Sequence, residues 1–357
     1  MKQIIFLFLV FVLFSCKTMD EIIIEKIDDQ SLKQIETIEI LFLKYKTEKN
    51  RIYIDNSKKL IEELSNKAKN NKFFKAKIFG LEGEIALLQN NISEVNSMIQ
   101  EIEVLNPNEE KLFILKASIE ENLDKKESII KQGIEKATTN TKLKLNLADL
   151  IFIKGDFTQA TALYDEVFNE LGEDYKSYYK KRRDLSYQFI NNPPENIKII
   201  NELNKEKISF GDIIKITSNE TAYLTKILNK SSKIEDNFQK LKEYGFFYKD
   251  NSTDNKIDSI IKRKDIAYFL LNIVSFIQNN KTLLTKYKIE TKNKPEEKDL
   301  SPVPDIKTYD YFYTAVLILV EQEILDLPDG VNFLPENTMT GLEFFKLLKI
   351  FKKNYKN

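Results

Sequence analysis

The chain has 357 residues, with 55 Lys+Arg against 55 Asp+Glu and a formal net charge of zero, which argues against a broad nucleic-acid or polyanion surface. It holds no histidine and one cysteine, which excludes Ser/His/Asp and Cys/His catalysis and typical zinc sites, since these need a group titrating near neutrality or several soft ligands. Nine Gly and eight Pro are too few for the turns of a strand-rich fold, and the abundance of Lys, Glu, Leu and Ile predicts an all-α chain.

The amino terminus comes first. Lys2 is followed by an unbroken apolar run from Ile4 to Phe14, which is short for a membrane span of about 20 residues and suits a signal-peptide core. Leu13-Phe14-Ser15-Cys16 follows directly, and Cys16 is the sole cysteine. A lone cysteine cannot staple the fold internally, so its position calls for another explanation. The stretch resembles a bacterial lipobox, in the relaxed form of spirochaete-type usage. That resemblance implies a signal peptide over 1–15, palmitate or similar acyl chains on Cys16, and a membrane held through that lipid.

Residues 16–56 read as an anchor segment and leading helix, with Leu32, Ile35, Ile38, Phe42 and Tyr45 at helical spacing. Over 57–190 a longer period emerges. Gly83, Ala86, Asn90-Asn91-Ile92, Val95, Ile99, Ile102 and Pro107 give a small residue where two helices cross, a turn, an apolar second helix and a stop. Thirty-four residues after Gly83 comes Ala117, at the same small position, in a weaker copy in which Gly133 and Lys136 replace apolar residues. A third copy is clearer: Leu147-Ala148, Ile151, Gly155-Asp156-Phe157, Ala160, Tyr164 and Val167. These offsets resemble the tetratricopeptide repeat, with Gly83, Ala117, Ala148, Gly155 and Ala160 as packing positions. The resemblance implies an array that holds a peptide or protein. The alternative is a helical hairpin array of other geometry. Lys180-Lys181-Arg182-Arg183 reads as a solvated helix face, with an anion site as its alternative.

Asn191-Asn192-Pro193-Pro194 breaks the pattern. Across 205–357 three segments share one shape: Ile208 to Asp212, Ile261 to Asp265 and Met339 to Glu343, each preceding an amphipathic helix. The first and third place Ser or Thr three residues before Asp or Glu, the spacing of a capping box. Asp305-Ile306, Ala315-Val316, Asp329-Gly330, Phe333-Leu334-Pro335 and Thr340 to Glu343 resemble an S-layer homology repeat, with two more eroded copies upstream. That resemblance implies a compact three-lobed helical unit that binds cell-wall glycan through a motif arginine. Phe210 and Gly341 stand at two of the three arginine positions. Only Arg263 remains, flanked by Lys262 and Lys264, so the pattern predicts a retained fold with a decayed glycan site. The polar stretch 286–304, with three of the eight prolines, reads as a mobile loop.

The expectation is therefore an all-α lipoprotein of the cell envelope, facing the periplasm. It comprises tetratricopeptide-like repeats and a degenerate S-layer-homology-like domain, and acts as a scaffold or adaptor in protein–protein interaction rather than as an enzyme. Its partners are envelope proteins or peptides, with cell-wall glycan as the alternative. No catalytic or metal residue, no cofactor and no nucleic acid is expected. A carboxylate-based hydrolase is the third class, and no motif supports it.

Overall fold

The computed structural model describes residues 27–137, 139–228, 232–249, 256–287 and 301–355. Cys16, the apolar run before it and most of the 286–304 stretch lie outside these residues. Among the described residues every regular element is helical and no strand forms. The chain divides into two compact units, one of residues 1–152 and 158–184, the other of 153–157 and 185–357.

The first unit opens with α1 (Asp29–Glu48) and α2 (Ile52–Lys67), followed by α3 (Lys72–Leu88), α4 (Ile92–Leu105), α5 (Glu110–Ile119) and α6 (Leu123–Lys136). α7 (Thr141–Lys154), α8 (Phe157–Phe168) and α9 (Glu173–Asn191) continue the series. Asparagine and aspartate start many of these helices, because their short side chains satisfy free amides of the first turn. Asp28 accepts from the Ser31 N–H at 2.8 Å, Asn71 from Phe74 N–H at 2.9 Å, and Asn122 from both Asp124 and Lys125 at 3.0 Å.

Helices pack as neighbours in the chain, α1 on α2, α3 on α4 and α5 on α6, while the first helices of successive hairpins also touch, α1 with α3 and α3 with α5. The leading helix is thus half of a hairpin with α2. Ile38 and Phe42 of α1, Ile61 and Leu64 of α2, and Phe74, Ile78 and Leu81 of α3 form one buried cluster. The small positions sit inside. Gly83, Ala117, Ala148 and Ala160 are buried, and a Cβ at Gly83 would lie 2.5 Å from Leu115 Cδ1. Gly155 turns the chain between α7 and α8 at φ +89°. Ala148 is wholly buried, so Ala148→Leu should cost about 1–3 kcal/mol through overpacking. Urea unfolding measures this, and an unchanged midpoint would contradict the packing described.

In the second unit a 3₁₀ turn (Ile197–Ile199) leads into the short α10 (Ile200–Leu203), then α11 (Phe210–Glu220), α12 (Ile234–Glu243) and α13 (Arg263–Ile277). A 3₁₀ turn (Lys281–Thr285), α14 (Tyr313–Glu321) and α15 (Gly341–Asn354) complete it. The three echoed segments meet. Ile208 N–H donates to Met339 O at 3.2 Å, Ile261 N–H to Ile208 O at 3.0 Å, and Arg263 N–H to Asn337 O at 2.9 Å. Isolated antiparallel bridges join Ser209 to Ile260 and Lys262 to Thr338. The side chains of Ile208, Ile261 and Met339 are buried. These short ladders satisfy loop amides that would otherwise be buried unpaired. Both capping boxes form: Ser209 with Asp212 at α11, and Thr340 with Glu343 at α15.

Candidate functional site

In the first unit, charged residues converge from alternate helices. Glu39 lies on α1 beside the core residue Ile38, and Lys111 lies on α5; both side chains are almost fully buried. Lys111 Nζ stands 2.9 Å from Glu39 Oε1 and 2.6 Å from Glu84 Oε2 on α3. Lys142, at the start of α7, reaches the two Glu39 oxygens at 2.5 and 2.6 Å. Burial acts to raise the Glu39 carboxyl, but the attraction of Lys111 and Lys142 outweighs it and holds the group at about 2. Burial likewise works against the charged Lys111, yet Glu39 and Glu84 push its ammonium well above the usual lysine range. Buried charge of this kind persists only when paired.

A cavity of about 340 Å³ opens beside this network. Its wall includes Leu32, Glu36, Lys77, Glu110, Glu170 and Tyr175. Lys77 pairs with Glu109 at 3.1 Å, Thr141 Oγ1 donates to Glu170 at 3.0 Å, and Lys142 N–H donates to Glu110 at 3.1 Å. Burial raises the Glu110 carboxyl, with the two lysines opposing. The arrangement offers both signs of charge at the rim of an apolar-backed cavity, which suits recognition of a polar peptide segment.

The basic run is more engaged than a solvated face. Arg182 pairs with Asp149 at 2.7 Å, and Arg183 with Asp165 at 2.6 Å while lying 4.6 Å over the Phe168 ring. Asp149 also accepts from the Tyr164 hydroxyl. The two arginines therefore pin α9 to α7 and α8 within the first unit, and Lys180 pairs with Asp184 at 2.5 Å.

The three positions at which the resemblance expects arginine, Phe210, Arg263 and Gly341, are all buried. Phe210 is buried in an aromatic cluster, 5.2 Å from Phe247 and 5.8 Å from Phe238. Gly341 lies against the backbone of α10; a Cβ there would stand 2.0 Å from Glu202 O, and its N–H donates to Lys205 O, just past that helix, at 2.9 Å. Arg263 is 7 % exposed. Its Nε donates to Phe333 O at 3.0 Å, and Nη2 donates to Asp326 O at 2.8 Å and Oδ1 at 3.1 Å. The guanidinium lies 4.9 Å over the Phe333 ring. Lys262 and Lys264 both hold Glu336. Arg263 borders a cavity of about 650 Å³ with Ile324, Leu325, Met339 and Leu347.

Sequence reasoning missed the Glu39–Lys111–Glu84–Lys142 network. Its signal is Glu39 itself, which sits between Ile35 and Phe42 on the stripe that faces the core. Among the described residues no group of three or more Asp, Glu, Cys or His could hold a metal ion, and no helix is long and apolar enough to cross a membrane. No family model, no curated protein and no solved structure matches the chain.

Proposed function

We propose that the chain is a lipid-anchored scaffold or adaptor of the cell envelope that binds a protein partner through its helical array. The observation that carries this reading is the charged cavity of the first unit, lined by alternate helices and offering Glu36, Glu170 and Lys77 beside Leu32 and Tyr175. Peptide recognition uses such mixtures of charge and apolar wall, whereas bond-making chemistry would need a positioned nucleophile or base. Crosslinking the protein in cells and identifying what co-purifies tests the reading. Discrete protein adducts support it; glycan adducts alone would replace it.

The alternative is attachment to peptidoglycan or another wall glycan through 205–357. The meeting of the three echoed segments favours it, because the three copies that the resemblance expects pack together as one unit. Against it stand Phe210 and Gly341, which bring no charge, and Arg263, which is buried and commits its Nε and Nη2 donors to Phe333 O and Asp326.

The anchor has its own test. The sole cysteine follows the apolar run directly, so Cys16→Ser should abolish incorporation of a fatty-acid label and release the protein from membranes on fractionation. A serine variant that still takes up label would defeat the lipoprotein assignment.

A further inference from the structure

The second unit carries a groove that neither reading uses. It runs between the last turns of α9, from Tyr187 to Asn192, and one face of α15, and encloses about 600 Å³, within the range of about 300–1,000 Å³ usual for ligand clefts. Its floor is apolar. Phe189 and Phe345 meet edge to face at 5.8 Å, with Leu342 beside them. Large apolar side chains stay exposed at both walls, Tyr187 at 44 % and Ile350 at 44 %.

The charge at this groove is one-sided. Lys346, Lys349 and Lys353 line it, and no Asp or Glu does, although the chain as a whole is balanced at 55 against 55. Their spacing along α15 puts all three on one helix face. Lys349 is already engaged, 3.1 Å from Glu220 Oε2 and 3.1 Å from Pro193 O. Lys346 and Lys353 are exposed, and neither forms an ion pair with a described residue. They flank Ile350 from the turns before and after it.

We propose that this groove is a docking site for a partner peptide whose apolar anchor enters between Tyr187 and Ile350 and whose acidic residues meet Lys346 and Lys353. Charge complementarity selects the acidic partner. The groove's volume of about 600 Å³ can take a side-chain anchor, which favours a peptide over a flat bilayer surface. The site stands apart from the charged cavity of the first unit and does not depend on it.

The test uses the chain from residue 17 onward and a fluorescein-labelled peptide of alternating leucine and glutamate, read by fluorescence anisotropy. Alternating leucine–lysine and serine–glutamate peptides are the controls. The leucine–glutamate peptide should bind and both controls should fail. The double variant Lys346→Glu/Lys353→Glu should weaken binding about tenfold or more, and wild-type binding should weaken with salt. Because both lysines are exposed, the variant should keep the wild-type helical signal and melting temperature; Ile350→Ser gives a second, uncharged variant that should also lose binding. Equal binding by the charge-reversed variant, or by the leucine–lysine peptide, would overturn the proposal. So would capture of phosphatidylglycerol vesicles, lost in the double variant, with no peptide binding: the face would then be a membrane contact.

Discussion

Lys111→Met should cost the protein about 3–5 kcal/mol of stability, because removing one partner from a buried ion network leaves the others unpaired in a low-dielectric interior. Lys111 bridges Glu39 at 2.9 Å and Glu84 at 2.6 Å, so its loss strands Glu84 and leaves Glu39 to Lys142 alone. Urea denaturation measures the loss, and a variant within about 1 kcal/mol of wild type would mean that water reaches these groups. A double-mutant cycle with Glu39→Gln should show a coupling of about 1 kcal/mol or more, as expected for residues in contact. The acid response follows from the same contacts. The Glu39 carboxyl is held at about 2 against an ordinary value of 4.5. A depressed carboxylate contributes stability above its unfolded value, and that stability is lost as pH falls from about 4.5 toward 2. Glu110, raised by burial, acts with the opposite sign. The specific expectation is therefore comparative: wild type should lose stability more steeply than Glu39→Gln across that window.

Gly341→Ala should cost about 3 kcal/mol, although alanine is the better helix former. A Cβ at this position would lie 2.0 Å from Glu202 O and 2.7 Å from Leu203 Cα. Both are backbone atoms, which cannot swing aside as a side chain can. The variant should also expose the amide of residue 341, which donates to Lys205 O, so hydrogen exchange there should accelerate with the segment around α10. Gly341→Arg, which would write the resembled motif back into the chain, should be worse still. A neutral alanine variant would mean that α10 does not rest on the start of α15.

These two sites show where the sequence was legible and where it was not. The all-α class could be read from composition, since scarce Gly and Pro leave little provision for strand turns. The small positions at Gly83, Ala117, Ala148 and Ala160 could be read from their spacing, and each is buried. Both capping boxes were visible because a box is local, spanning one turn. Gly133 was read as a weakness of its repeat; yet a Cβ there would lie 2.6 Å from Phe113 Cβ, so it is a close-packing position that offsets a large neighbour. Asparagine carries local information that composition does not show: Asn71, Asn91 and Asn122 cap helices.

Long-range pairings were the illegible part. Glu39 and Lys142 are 103 positions apart, and nothing in the local pattern of either names the other. Arg263 was singled out as the one arginine at the three positions where the resemblance expects one. Its fate was not legible, because Asp326 and the Phe333 carbonyl reach it across 63 and 70 positions. Phe210 and Gly341 were read as losses of charge. Both have inward roles instead, Phe210 in an aromatic cluster and Gly341 against the α10 backbone.

The proposed docking of a protein partner at the charged cavity of the first unit can be tested directly. The most direct measurement places a photoreactive residue at Leu32, which is exposed at the cavity rim, in the full-length chain in living cells. Irradiation should give one or a few discrete protein adducts, and the charge-reversing pair Glu36→Lys/Glu170→Lys should abolish them without loss of helix content. Adducts unchanged in that variant, or carrying glycan and no protein, would contradict the account.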